Sequence, residues 1–96
     1  MTIGYNNLEG NIDIIFNETG PEILIHGDPQ GLLSLANLLT EIANKNQKEI
    51  KELPDGAREH VHLNPGIDIS KSSTTVIIGR LDSKGTGAFY KSFIKK

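Results

Sequence analysis

The stretch GDPQGLLSLANLLTEIANKNQKEI, residues 27–50, decides the fold because it carries both ends and one face of a helix. Asp28 can cap the first free backbone N–H groups, and Pro29 falls at the first helical position, where a missing donor costs nothing. The polar sequence that follows predicts that the helix stops near residues 46–52. A period of 3.6 residues predicts an apolar face lying across a sheet, made of Leu32, Leu35, Ala36, Leu39, Ile42 and Ala43 and widened by Leu33 and Leu38.

Two strands are predicted before this helix. The segment NIDIIFNE, residues 11–18, alternates with a period of two, so Ile12, Ile14 and Phe16 should share one buried face. The breaker Gly20-Pro21 follows, and EILIHG behind it should return as the second strand of a hairpin. TIGY, residues 2–5, is a candidate for one further short strand.

Two more strands, EHVHLN and STTVIIGRLD, are predicted after the helix. The element order ββαββ predicts an α+β two-layer sandwich, in which a mainly antiparallel four-stranded sheet carries one helix packed on one face. A single helix covers only one side of such a sheet. The other side is therefore expected to be exposed to solvent, covered by the C-terminal tail, or used for binding.

The composition is that of an ordinary soluble domain, with 36% hydrophobic and 23% charged residues. We expect one α+β domain over residues 1–96, with a core at about 10–82 and a basic, aromatic tail at 83–96. All 12 acidic residues and 6 of the 10 basic ones precede position 83. This acidic body argues against nucleic acid as the partner and suits a basic protein instead.

The chain contains no cysteine, which excludes disulfides, thiolate metal sites and a cysteine nucleophile. No segment approaches the roughly 20 apolar residues that a membrane span needs. The N-terminal sequence MTIGYNNLEGNIDIIF also lacks the basic and apolar regions of a signal peptide. We therefore expect a cytoplasmic protein with no membrane partner.

The strand EHVHLN carries the side chains that are the strongest candidates for metal binding or acid–base chemistry. Side chains two positions apart on a strand project to the same side, so His60, His62 and Asn64 should share one face. Val61 and Leu63 then occupy the opposite face. If that apolar face packs under the helix, both imidazoles point outward.

Two outward imidazoles permit two interpretations. With His26 from another strand, His60 and His62 could supply three metal ligands. Alternatively, they occupy an exposed sheet face, and this second interpretation is favoured because no carboxylate stands at a recognised ligand spacing and Glu59 points to the opposite side. We predict no cofactor, no metal and no catalytic residue, with the three-histidine metal site as the alternative.

Other motifs carry less chemistry. The GTG sequence at residues 85–87 lacks the strand and helix of a nucleotide-binding loop, and SKSS at residues 70–73 has the composition of an ordinary turn. In the tail, apolar residues are mixed with lysines, which fits a docking arm for nucleic acid or an anionic surface. A last strand or helical turn that covers the open sheet face is favoured, because exposure would be costly for Phe89, Tyr90, Phe93 and Ile94.

Three segments in this order, GDPQGLLSLANLLTEIA, EHVHLNPGIDISKSS and TTVIIGRL, resemble a family of small bacterial immunity proteins from polymorphic toxin systems. The resemblance covers about residues 22–82. It implies an antidote that binds the cognate toxin domain encoded beside it and blocks the active site or the access of substrate, without catalysis of its own. The positions that carry the pattern are Gly31, Leu32, His60, His62, Leu63, Ser73 and Arg80.

The resemblance makes the open sheet face the expected contact area for the toxin domain. The expected partner-binding residues are His60, His62, Asn64 and Arg80. A small metal-binding hydrolase or ligand-binding module that uses the His60/His62 face is the alternative function. A homodimer, formed through the uncovered face or an edge strand, is compatible with either function.

Overall fold

Four short strands, one α-helix and two 3₁₀ turns form within residues 8–87 and 91–95, which the computed structural model describes. The strand predicted at residues 2–5 lies outside these residues. No helix in this part of the chain has the length and apolar character needed to cross a membrane. In chain order the elements are β1 (Ile12–Asn17), β2 (Glu22–Gly27), α1 (Pro29–Asn44), a 3₁₀ turn (Gln47–Glu49), β3 (His60–Leu63), β4 (Val76–Gly79) and a 3₁₀ turn (Lys91–Phe93).

β1 and β2 form the predicted antiparallel hairpin, with Ile12 opposite Gly27 at its open end. Ile12 and Ile14 are buried, as the alternation predicts. Phe16 was predicted to join them but is more than half exposed. It lies at the turn end of β1, opposite Ile23, which is also exposed, so the hairpin extends beyond the core.

α1 begins where the sequence predicts. The Asp28 side chain accepts a hydrogen bond from the Gly31 N–H at 2.7 Å, and Pro29 occupies the first helical position. The helix ends at Asn44, just before the predicted range, and Asn46 then caps the 3₁₀ turn.

The buried stripe of α1 is narrower than its periodicity predicts. Leu38, which was placed at the margin of the apolar face, is buried, and the stripe consists of Gly31, Leu35, Leu38 and Ile42. Two hairpins of two strands each cover less of a helix than a four-stranded sheet would. The flanking residues that were predicted to be apolar contacts are exposed instead: Leu32, Leu33, Ala36, Leu39 and Ala43.

β3 and β4 form a second antiparallel hairpin, with His60 opposite Gly79 and Leu63 opposite Val76. Val61 and Leu63 face inward, as predicted. One cluster of buried side chains joins the helix and both hairpins: Ile12, Ile14, Leu35, Leu38, Ile42, Val61, Leu63 and Ile69.

The α+β class is confirmed, but the single four-stranded sheet is not, because the described strands form two separate two-stranded sheets. Segment 70–74, within the β3–β4 connection, lies along the outer edge of β1. Ser70 N–H donates to the Ile12 carbonyl and Thr74 N–H to the Ile14 carbonyl, both at 2.8 Å. This connection satisfies the backbone groups to which a further strand would bind, so neither β3 nor β4 pairs with β1.

The C-terminal tail contains a short helical turn at Lys91–Phe93, one of the two forms predicted for it. Phe89 and Tyr90 lie outside the described residues. Phe93 and Ile94 are about half exposed. The Arg58 guanidinium lies 5.5 Å from the centre of the Phe93 ring, a cation–π distance that connects the tail to the chain just before β3.

Candidate partner-binding surface

The outer face of the second hairpin presents the two histidines. Because β3 alternates, the inward positions of Val61 and Leu63 leave His60 and His62 on the outside. His62 is exposed and His60 is partly buried. The two ring centres lie 5.0 Å apart in an edge-to-face arrangement.

The His60 ring is oriented by its own backbone. Its Nδ1 lies 3.0 Å from the carbonyl oxygen of Arg58. Since a carbonyl only accepts hydrogen bonds, Nδ1 carries the proton, and in the neutral ring Nε2 is the accepting nitrogen. The hairpin therefore presents one oriented imidazole and one exposed imidazole side by side.

β4 completes this surface. Ile77 stands opposite His62 and is exposed, while Gly79 stands opposite His60. A β-carbon at Gly79 would lie 2.8 Å from Cβ of His60 and 3.1 Å from the Glu59 carbonyl oxygen, so only glycine leaves room for the histidine. We call these four residues, His60, His62, Ile77 and Gly79, the histidine face.

Replacing Gly79 with alanine should displace His60 and weaken its hydrogen bond to Arg58. The expected loss in the free energy of unfolding is about 1–2 kcal/mol, because strand and side chain must separate to admit the methyl group. Urea unfolding measures the loss, and the NMR signals of the His60 ring report the displacement. The matched control is Gly20→Ala, where nothing lies within 4 Å of the added atom. Unchanged stability together with unchanged His60 signals would show that the close approach has no consequence.

The other two predicted contact residues, Asn64 and Arg80, lie outside the histidine face. Asn64 follows β3 directly and is exposed, and its carbonyl accepts the N–H groups of Ile67 and Asp68 in the next turn. Arg80 does not join the histidine face, since its side chain reaches across to the C-terminal end of α1. The structure therefore places Asn64 directly after β3 and directs the Arg80 side chain to the end of α1, although the Arg80 backbone N–H donates to the Glu59 carbonyl at 3.0 Å.

The Arg80 side chain binds the C-terminal end of α1. Its Nε and Nη2 donate to the two carboxylate oxygens of Asp82 at 2.8 and 2.7 Å, and Nη1 donates to the carbonyls of Ile42 and Lys45 at 3.2 and 2.8 Å. These hydrogen bonds from Arg80 hold the pKa of Asp82 below its ordinary value. The last turn of α1 contains no basic residue, so Arg80 supplies the cation that the helix C-terminus favours.

Two buried polar residues beside Arg80 were not identified from the sequence as structural. Gln47 is only 5% exposed; its Oε1 accepts the Glu59 N–H at 2.8 Å and its Nε2 donates to the Asp82 carbonyl at 3.0 Å. Glu59 is 2% exposed, and its carboxylate accepts the His60 N–H at 3.1 Å. The strand alternation did place Glu59 opposite the histidines. Nothing local to Gln47 indicates its burial, because its partners lie 12 and 35 residues away.

The alternative metal site required His26 to join the two histidines of β3. His26 lies on β2, opposite Asp13, in the other hairpin. Among the residues that the structure describes, no group of three or more histidine, aspartate or glutamate side chains could hold a metal ion. His60 and His62 therefore form a pair to which His26 contributes nothing.

The serines at residues 70–73 lie in a turn, as their composition predicts, with the Ser73 N–H donating to the Ser70 carbonyl at 3.1 Å. They also connect the two hairpins around Asp13, which the sequence did not reveal. The Asp13 carboxylate accepts hydrogen bonds from the hydroxyls of Ser70 and Ser72. Ser73 is buried, and its hydroxyl accepts the Ile14 N–H at 2.9 Å. These contacts hold segment 70–74 against β1, and their separation of 57–59 residues explains why no local pattern reveals them.

Acid should weaken this connection. Hydrogen bonds from Ser70 and then Ser72 lower the pKa of Asp13, and those from Asn11 and Gly31 lower the pKa of Asp28. A carboxylate whose pKa is lower in the folded state stabilises the fold above its unfolded pKa, and this stabilisation is lost as the pH falls. Urea midpoints should therefore drop below about pH 4, and Asp13→Asn should reduce the dependence. Asp55→Asn is the control, because no described residue donates a hydrogen bond to that carboxylate. An identical pH profile for Asp13→Asn and the native chain would contradict this.

The described residues define a small α+β protein with His60 and His62 on the outer side of β3, while Arg80 binds the end of α1. A model of the family Immunity protein 32 matches residues 22–81, more than half of the chain. The chain belongs to the Immunity protein 32 family, which confirms the resemblance found in the sequence. Membership indicates a toxin-neutralising immunity function with a protein partner. No curated protein and no solved structure shows significant similarity to the chain.

Proposed function

We propose that this protein neutralises a cognate bacterial toxin domain from a polymorphic toxin system by binding it one-to-one. In the complex it blocks the toxin's active site or the access of substrate, and it performs no catalysis of its own. Membership of the Immunity protein 32 family is the single observation that carries this proposal.

The contact area is proposed to be the histidine face. Several positions of the family pattern have clear roles in the fold. A β-carbon at Gly31 would lie 2.3 Å from the Asn11 carbonyl oxygen, Leu63 is in the core, and Ser73 and Arg80 are bound to β1 and α1. His60 and His62 differ from these positions because they stand together on the outer side of β3, where His62 is exposed and the His60 ring lies beside it.

Asn64 extends the proposed contact area, because it follows β3 and is exposed. Arg80 is better placed to support the area than to touch the toxin, since four of its hydrogen bonds go to Asp82, Ile42 and Lys45. An exposed isoleucine beside two imidazoles gives a surface with both apolar and hydrogen-bonding capacity, which is typical of the centre of a protein interface.

The charge of the chain supports a basic partner. The chain has 12 acidic and 10 basic residues, and residues 83–96 hold four of the lysines and no acidic residue. The preceding body is therefore acidic, and such a body attracts a basic toxin cleft and accelerates association at low salt.

Co-expression with the product of the neighbouring gene tests the proposal. The two chains should co-purify as a one-to-one complex, and expression of this chain should restore growth to cells that produce the toxin domain. The proposal fails if the neighbouring product is not a toxin domain, or if the two purified chains do not bind at about micromolar concentration.

A further inference from the structure

Among residues 8–87 and 91–95, no strand pairs with the outer edge of β2, and the contacts of β1 show which backbone groups of β2 face that edge. The carbonyls of Ile12 and Ile14 point away from β2, because they accept hydrogen bonds from segment 70–74. Backbone groups alternate sides along a strand, so Asp13 and Ile15 bond to their β2 partners, His26 and Leu24.

Ile23 and Ile25 therefore direct their N–H and carbonyl groups away from β1, towards the open edge. Within residues 8–87 and 91–95, β1 is the only strand that pairs with β2. In the described part of the chain, Ile23 and Ile25 thus each offer an unpaired donor and an unpaired acceptor to another chain.

The side chains on this edge are apolar and exposed. Ile23 is 65% exposed and Ile25 is 52% exposed, and Phe16, opposite Ile23, is 53% exposed. The edge contains none of the lysines, prolines or bulges with which proteins usually prevent strand addition, since Glu22 and His26 are the only charged or titratable residues in the strand. An edge of this kind is suited to pairing with a further strand.

We infer that β2 pairs antiparallel with β2 of a second copy of this chain, around a twofold axis at Leu24. In this register Ile23 stands opposite Ile25 of the second copy, and the reverse, so every outward backbone group of these residues is bonded. The result is a continuous four-stranded sheet in the order β1–β2–β2–β1, with the exposed isoleucines of both copies on one face.

The side chains of the other face favour the same register. Glu22 stands opposite His26 of the second copy, so a carboxylate meets an imidazole at both ends of the paired segment. Registers centred on Ile23 or Ile25 also satisfy the backbone alternation. However, they move Glu22 away from His26 of the second copy and leave one isoleucine of each strand without an isoleucine opposite it. The sequence EILIH is thus self-complementary about Leu24.

Sedimentation equilibrium of the full chain tests this dimer. Between ~10 μM and ~1 mM, a range that covers weak strand pairing, the mean mass should rise from 10.5 kDa towards twice that value. Ile25→Lys should weaken the association by roughly 100-fold, because in each of the two pairs a lysine would replace the isoleucine that faces Ile23 of the other copy. Leu33→Lys is the matched control, since Leu33 is an equally apolar, exposed residue on α1, and it should leave the association unchanged.

A cysteine at the axis provides a second readout that does not depend on the lysine variant. Unbonded antiparallel pairs bring Cα atoms to about 4.5 Å, which a disulfide spans. The chain has no cysteine of its own, so Leu24→Cys should give a disulfide-linked dimer on mild oxidation, much faster than Leu33→Cys. The inference is overturned if the native chain stays monomeric at ~1 mM, or if both cysteine variants cross-link equally. It is also overturned if Ile25→Lys weakens toxin binding in a chain that is monomeric, since the edge would then belong to the toxin.

Discussion

Replacing Gly31 with alanine should destabilise the fold by about 3 kcal/mol, because the added methyl group meets backbone atoms and not a flexible side chain. A β-carbon at Gly31 would lie 2.3 Å from the carbonyl oxygen of Asn11 and 2.9 Å from its carbonyl carbon. The first turn of α1 would have to move away from the segment before β1. That movement would also separate Asp28 from Asn11, whose N–H and side-chain amide donate to the Asp28 carboxylate at 3.0 and 2.8 Å.

Urea unfolding followed by circular dichroism measures this loss. Gly20→Ala is the control, because Gly20 lies in the β1–β2 turn with nothing within 4 Å of the added atom. It should leave the free energy of unfolding within about 0.5 kcal/mol of the native value. If Gly31→Ala were as stable as Gly20→Ala, the close contact between the helix start and Asn11 would not exist in solution.

Replacing His60 and His62 together with alanine should weaken the complex with the toxin domain by roughly 30-fold or more, which corresponds to at least about 2 kcal/mol. The expected loss is large because both rings lie on one exposed strand face and should be desolvated at the same interface. The fold should survive, since the core residues of β3 are Val61 and Leu63.

Calorimetric titration of the toxin domain with each variant measures this effect. His26→Ala is the matched control, because it removes an exposed histidine from the other hairpin. Its affinity for the toxin should equal that of the native chain. Equal losses for His26→Ala and the double variant, or no loss for either, would place the toxin contact elsewhere.

The sequence predicted the features of the fold that depend on neighbouring residues. Asp28 and Pro29 determine where α1 begins, because a cap and a preset backbone angle act within one turn. The alternation around Val61 likewise predicted which side of β3 is buried, and so the outward position of His60 and His62.

The features that it failed to predict depend on contacts distant in sequence. Arg80 was expected on the contact face, but it bonds to carbonyls 35 and 38 residues earlier, at the end of α1. Ser73 does lie in the predicted turn, but the sequence did not reveal that its hydroxyl accepts the N–H of Ile14, 59 residues away. No periodicity encodes such contacts. For the same reason the four-stranded sheet was not confirmed, because segment 70–74 binds the edge of β1 at which a further strand of such a sheet could pair.

The central claim, that this chain neutralises a toxin domain by direct binding, is tested most directly by titrating the purified chain into an activity assay of the toxin domain encoded beside it. At a toxin concentration well above the dissociation constant, toxin activity should fall linearly and reach zero at one equivalent of the chain. Toxin activity that is unchanged in the presence of a large molar excess of the folded chain would contradict the claim.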